Sequence, residues 1–265
     1  MSKVTETSSA TRARSVHHPS VKRELSESPH PDWVQRMIPG LQRELAEVLD
    51  CPLFRATVEG PLPERSWRNT VKEFFGVVES FPKYMGISLA KTTFGRRPGD
   101  ALARDWLIGN IRTEARHAQW YIDWAVGLGI RYEELVEHRP GPEVLAVQEF
   151  LWSMAYRGSL AESFAAVNYA IEGSTGEWTR LVIPAFRQYF GDDKQTLMWL
   201  VEHAEYDDAH PREALELIKL TVTDEADQRK TEYAARRSLQ LFRRGFDACH
   251  TLHTAPGRGL DPHAL

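Results

Sequence analysis

A chain of 265 residues with 42% apolar and 26% charged residues suits one large globular domain, two small ones being the alternative, and can bury a core without disulfide or metal staples. The net charge is −4, with both signs dispersed and no basic stripe, which argues against a nucleic-acid partner. No run of about 18 apolar residues is present, so no membrane span is expected.

The first residues, MSKVTETSSATRARSVHHPS, lack the apolar core of a secretory signal. Residues 1–30 read as a disordered tail, and the paired His17 and His18 within it as solvated rather than metal-binding. The two cysteines, Cys51 and Cys249, stand in no CxxC or Cys/His spacing. They read as free thiols of a reducing compartment, a single disulfide between them being the alternative, and the expected location is cytoplasmic.

Between residues 31 and 250 apolar residues recur at three and four positions, which predicts helices throughout. A first helix starts at Pro31-Asp32, with a break expected at Pro39-Gly40. A second starts near Glu64 and carries Trp67, Val71, Phe74, Phe75, Val78 and Phe81; Pro82 should kink or end it. Phe94 to Asp100 is a loop by its Gly and Pro content. A third helix runs from Asp100 through Trp106, Ile111, His117 and Trp124 to Gly127 or Gly129. After the loop His138–Glu143, a fourth helix covers 143–156. A fifth starts near Ser159, passes Asn168 and Glu172, and stops at the GDD of 191–193. A sixth runs to about Leu220, with Pro211 expected to bend it. A last helix spans Asp224 to about His250, and residues 251–265 read as a flexible tail. The expected fold is all-α, one bundle of seven to eight helices over residues 31–250.

The chemistry lies in three of these helices. Glu114 and His117, in IRTEARHAQW, are three apart and share a helix face. Glu-x-x-His is the unit with which helix bundles hold carboxylate-bridged metal pairs, although alone it also arises by chance on solvated faces. His203, Asp207 and His210, in EHAEYDDAHP, fall at i, i+4 and i+7, again on one face of a regular helix; a polar surface stripe is the plain alternative. Glu172 follows the apolar run Phe164 to Ile171. A carboxylate there needs a metal or an Arg as partner, because an unpaired buried charge costs several kcal/mol. Glu177 competes with it but lies further from the apolar run. Together the three segments offer three imidazoles and three carboxylates, a set that favours iron or manganese over zinc. Glu79, on an otherwise apolar segment, is read either as an additional ligand or substrate-side carboxylate, or as a salt-bridge partner of Lys83. Asp208 points about 100° away from Asp207 on a helix and is read as a supporting or surface residue. The aromatic residues of these helices are read mainly as core, some of them lining an apolar tunnel to the metals.

The blocks Val77–Trp124, Ala165–Trp178 and Met198–Ile218 resemble the haem-oxygenase-like di-iron oxidases. Within that family the likeness is greatest to the UndA-type enzymes, which convert a medium-chain fatty acid to a terminal 1-alkene. The resemblance implies a haem-oxygenase-like bundle of the TenA type. It implies two Fe(II) ions, one held by Glu114, His117, Glu172 and His203, the other labile, held by Asp207 and His210 with Glu172 as bridge. It implies O2 as co-substrate. The expected partners are a small carboxylic-acid substrate and an external electron donor, with homodimerisation left open. Residues 1–30 and the stretch Arg131 to Phe164 depart from the UndA pattern. Relatives with the same ligands catalyse N-oxygenation, desaturation, amino-acid fragmentation or carbon excision, so an amino-acid-derived metabolite is the alternative substrate. Relatives that are thiamin-salvage hydrolases or regulators lack the six-ligand set.

Overall fold

The computed structural model describes residues 25–191, 193–205 and 209–254, with side chains as far as 251. Every regular element among them is helical: α1 (Asp32–Leu49), α2 (Pro52–Glu59), α3 (Glu64–Ala90), α4 (Asp100–Glu114), α5 (His117–Gly127), α6 (Tyr132–Val136), α7 (Pro142–Arg157), α8 (Leu160–Phe164), a π-helical segment π1 (Ala165–Glu172), α9 (Gly173–Phe190), α10 (Lys194–Glu205), α11 (Ala209–Thr221) and α12 (Glu225–Thr254). His17 and His18, Asp207 and Asp208, and the stretch 255–265 lie outside the described residues.

The expected all-helical bundle is present, with local differences that have physical causes. The break expected at Pro39-Gly40 does not occur, and α1 runs through both residues. Its buried face of Val34, Met37, Leu41 and Val48 outweighs the one hydrogen bond that Pro39 removes. Pro82 likewise does not end α3. The third expected helix is divided into α4 and α5. At Ala115 and Arg116 the chain tightens, with Arg116 N–H donating to Thr113 O at 3.2 Å and Gln119 N–H to Arg116 O at 3.1 Å. The sixth is described as α10 and α11, on either side of residues 206–208, which lie outside the described residues. Pro211 stands in the first turn of α11, where its missing N–H leaves no carbonyl unpaired, rather than bending a helix from within. Sequence periodicity passed over α2, which opens on Pro52 at its first position, and the single-turn α6.

The N-terminal part of the described chain has no regular structure but is tied down. Ser28 Oγ donates to Glu216 Oε2 at 2.7 Å, and Lys219 Nζ donates to Ser28 O at 2.7 Å, both partners lying on α11. A buried carboxylate fixes the α6–α7 connection: Glu73 accepts from Gly141 N–H at 2.6 Å and contacts His138 Nε2 at 2.9 Å. Ser159 and Glu162 form a reciprocal capping box that starts α8. Cys51 and Cys249 are buried free thiols, and burial pushes Cys51 up to about 12, leaving it an inert packing group.

The core is an aromatic stack. Phe54, Trp67, Trp124, Phe186 and Phe246 are fully buried, and Trp124 and Trp199 lie parallel, 5.3 Å apart with planes 7° off. That stack joins α5 to α10, the helices that carry His117 and His203. They meet at Gly127, where a Cβ would stand 2.3 Å from Thr196 Cγ2 and 2.5 Å from its Oγ1. Gly127→Ala is therefore expected to lower unfolding stability by about 1–3 kcal/mol through overpacking. Denaturant titration measures it, with partial recovery expected in Gly127→Ala/Thr196→Ser; an unchanged midpoint in the single variant contradicts the close packing of α5 on α10.

Candidate metal centre

Five of the six residues singled out as ligands lie among the described residues, and the fold brings all five together. Glu114 ends α4 and His117 opens α5, so the tightened turn lies between them. It sets His117 Nδ1 2.9 Å from Glu114 Oε2, with both side chains buried. His203, in the last turn of α10, faces His117 with ring centroids 4.7 Å apart. From the opposite side come Glu172, at the junction of π1 and α9, and His210 in the first turn of α11. Their Oε1 and Nδ1 are 2.9 Å apart. Glu114, Glu172 and His210 each offer a ligand atom within 4.8 Å of the others. Asp207 is not among the described residues.

Local structure sets the direction of each group. The His203 Nδ1 lies 2.7 Å from Trp199 O; a carbonyl only accepts, so Nδ1 carries the proton and Nε2 the lone pair a metal requires. Asn168 Nδ2 donates to Glu172 Oε2 at 2.9 Å, so both oxygens of Glu172 are directed, one by Asn168 and one toward His210. The π-helical winding accompanies this. Wide turns of this kind are rare and recur at functional sites, and this one delivers Asn168 and Glu172 from an otherwise apolar segment. Immediately after Glu172, a Cβ on Gly173 would stand 3.3 Å from Pro211 Cβ, so the small residue lets α11 bring His210 up to Glu172. His210 is steadied from α4 as well. Trp106 Nε1 donates to Glu213 Oε2 at 2.6 Å, and the Trp106 ring stands 6.2 Å from the imidazole.

The environment is dry on one side. Glu114, His117, Glu172 and His203 line a cavity of about 50 Å3 whose remaining walls are largely aromatic. Tyr121 is one of them; burial raises its phenol well above the ordinary value, and its hydroxyl donates to Val71 O at 3.1 Å. His210 is on the other side, its side chain 23% exposed.

Glu79 is not part of this cluster. Its carboxylate pairs with Lys83 Nζ at 2.5 Å and is 45% exposed, the bland alternative of the two open in the sequence. Glu177 pairs with Arg180 at 3.0 Å on the next turn of α9. Sequence reading missed Asn168 and the Trp106–Glu213 pair. Asn168 could have been found from its place one turn before Glu172 on an apolar stretch, where a buried amide requires a partner.

The donor set fits iron. Two buried carboxylates and three imidazoles suit a borderline divalent ion better than the sulfur-rich sites of structural zinc. Glu114 Oε1 is shielded from solvent and has no hydrogen-bond partner among the described residues, a cost that a cation removes. Anaerobic Fe(II) binding by the purified chain measures this. His203→Ala is expected to lose tight binding with the helical circular-dichroism signal retained, and Asn168→Ala to weaken it by roughly 10-fold to 100-fold. Full Fe(II) affinity in His203→Ala contradicts the assignment.

Known proteins share sequence and fold with this chain. The family model described as iron-containing redox enzyme matches residues 68–243, which include Glu114, His117, Glu172, His203 and His210. A 4-aminobenzoate synthase of Chlamydia trachomatis is 27% identical over 175 residues, 64% of this chain and 73% of that protein. The crystal structure of a TenA homologue from Pseudomonas syringae pv. tomato superposes with a TM-score of 0.80 at 33% identity, covering 86% of this chain and 100% of that one. A domain of unknown function with a haem-oxygenase-like fold from Shewanella denitrificans shares the fold at 15% identity, with a TM-score of 0.71 over 83% of this chain and 92% of that one. The chain therefore belongs to the haem-oxygenase-like family of iron-containing redox enzymes.

Proposed function

We propose that this protein is a non-haem di-iron oxidase that uses O2 to decarboxylate a medium-chain fatty acid to a terminal 1-alkene. The observation that carries the reading is the cavity itself: the Glu114–His117–His203 cluster forms one wall, and Val77, Val78, Phe81, Phe242 and Phe246 supply apolar surface facing it. Residues that favour an aliphatic chain thus adjoin residues that suit a cation.

Glu114, His117, Glu172 and His203 would hold the better-bound iron, Asp207 and His210 would help hold a looser one, and the iron would supply the oxidising chemistry with dioxygen. The chain's own contribution is positioning and exclusion. An acid with its tail among the aromatic side chains presents its carboxylate to the Glu114–His117–His203 wall, which brings its α and β carbons beside the cluster. The buried rings of Tyr121, Trp124 and Trp199 keep bulk water from that end. Overall, one acid, one O2, two electrons and two protons give an alkene one carbon shorter, one CO2 and two waters. An external donor supplies the electrons.

A second reading has its own observation. A larger cavity of about 440 Å3, lined by Gln42, Tyr169, Glu177, Arg180 and Arg212 among others, reaches Glu172 from the far side. The charged groups among its otherwise apolar walls suit an amino-acid-derived metabolite, and so does the similarity to a protein named 4-aminobenzoate synthase. Entry through the aromatic cavity distinguishes the first reading from this one.

The test is reconstitution with Fe(II) and a reductant under air, a panel of fatty acids and amino acids, and mass spectrometry of headspace and solution. A volatile alkene one carbon shorter than its parent acid is expected. Oxidised products from amino acids alone overturn the leading reading, and a protein that takes up no iron overturns both. His210→Ala is expected to reduce occupancy at the second ion by roughly tenfold or more while sparing the first, read as iron per chain. Equal loss at both contradicts the division of ligands.

A further inference from the structure

The two segments that carry the buried carboxylates share a second spacing. NIRTE (110–114) and NYAIE (168–172) each place an asparagine four residues before the glutamate. Residues four apart on a helix are neighbours on one face, with Cβ atoms about 5–6 Å apart, within reach of an amide donating to a carboxylate. All four side chains are buried: Asn110 is 4% exposed, Glu114 3%, Asn168 2% and Glu172 4%. A buried amide needs partners, because each polar atom stripped of water without one opposes folding.

The two pairs are alike at the cluster and differ behind it. Glu114 Oε2 stands 2.9 Å from His117 Nδ1, and Glu172 Oε1 stands 2.9 Å from His210 Nδ1. Each carboxylate thus sets one oxygen beside an imidazole nitrogen, close to the separation of two ligands that meet at a right angle about 2.1 Å from one cation. The other oxygen of Glu172, Oε2, accepts from Asn168 Nδ2 at 2.9 Å. The other oxygen of Glu114, Oε1, is shielded without a hydrogen-bond partner among the described residues, and so are both Nδ2 and Oδ1 of Asn110. A donor without an acceptor therefore lies one helical turn from an acceptor without a donor. A cation does not exhaust Oε1, since a carboxylate oxygen accepts more than once.

We propose that Asn110 is the positioning residue of Glu114, its Nδ2 donating to Glu114 Oε1 when a cation is bound, as Asn168 donates to Glu172. This deepens the reading of the cluster as an iron site and rests on it. The Asn110 bond is not made in this structure, so the cost of burying the amide falls on the protein without metal and the benefit of the bond on the protein with it. Asn110 therefore opposes folding and favours metal, whereas Asn168, already bonded, favours both. An asparagine with a merely structural role moves stability and leaves affinity where it was.

The experiment compares Asn110→Leu with Asn168→Leu, which keep the branched skeleton and remove the amide. Denaturant unfolding of the full chain stripped of metal gives one reading, and anaerobic Fe(II) titration gives the other. Asn110→Leu is expected to hold or raise the unfolding midpoint while weakening Fe(II) binding about tenfold to hundredfold. Asn168→Leu is expected to lower both. A second measurement needs no variant: in the 15N-labelled wild type, one of the two Asn110 side-chain amide hydrogens moves downfield and exchanges more slowly when redox-silent Zn(II) is added. Unchanged Fe(II) affinity in Asn110→Leu overturns the inference, the result an ordered water already serving the amide gives. A midpoint that falls as far as in Asn168→Leu overturns it too, as do Asn110 amide hydrogens that Zn(II) leaves in place. A wild type that binds neither Fe(II) nor Zn(II) removes the metal-centre reading itself.

Discussion

The structure depends on one electrostatic constraint: carboxylates kept among aromatic rings. Glu114 and Glu172 are buried, in a medium where an isolated ionised carboxylate costs several kcal/mol and where removal of a partner costs more than the pair was worth. His117, Asn168 and His210 direct some of their oxygens, and Glu114 Oε1 is left with no protein partner among the described residues. A divalent cation bound there would resolve that imbalance. Seen this way the site is less a decoration on a bundle than the reason its interior tolerates these residues.

The irregularities of the helices lie close to the same residues. Helices packed about 8–10 Å apart between axes already let long carboxylates and imidazoles converge on one point, and here the backbone also departs from regular helix close to where they do. It yields at the tightened turn between Glu114 and His117, at the π-helical winding that ends on Glu172, and at the small residues Gly127 and Gly173, which let α5 meet α10 and α11 meet α9. Each departure lies within a few residues of a candidate ligand or on a helix that carries one. Local rules of helix formation are relaxed where the chemistry requires it and obeyed elsewhere, as at the capping box of Ser159 and Glu162.

Much of this was legible in the sequence. Periodicity located the long helices because burial of one face is what makes them. The grouping of Glu114, His117, Glu172, His203 and His210 was readable because polar residues of metal-binding type stood on otherwise apolar segments. The division of α4 from α5 was not, since Glu-x-x-His has the same spacing whether the turn between them is regular or tightened. Pro39 misled because a proline's local cost is visible in sequence while the tertiary burial that offsets it is not. The π-helical winding at Ala165–Glu172 left no mark of its own, and neither did the partnership of Trp106 with Glu213, which are 107 positions apart. Glu79 shows the converse. A carboxylate on an apolar segment drew notice, yet Lys83 four residues later was sufficient explanation.

Glu172 is where the two sides of the site meet. The aromatic cavity and the one that carries Arg180 and Arg212 both touch it, and His210, on the solvent side, is the most exposed of the described cluster. A cation bound among Glu114, His117 and His203 lies in the drier medium, where charge–charge attraction is weakly screened; one nearer His210 competes with water for its ligands. Were two cations to bind as proposed, unequal affinity would need no difference in ligand type, only the gradient in burial on either side of Glu172. The same gradient orients a substrate: its apolar part gains most on the dry side, and charged or strongly hydrated groups lose least on the other. The bundle thus offers two faces of one centre with opposite solvation, and which face a substrate takes follows from its own balance of apolar and polar surface.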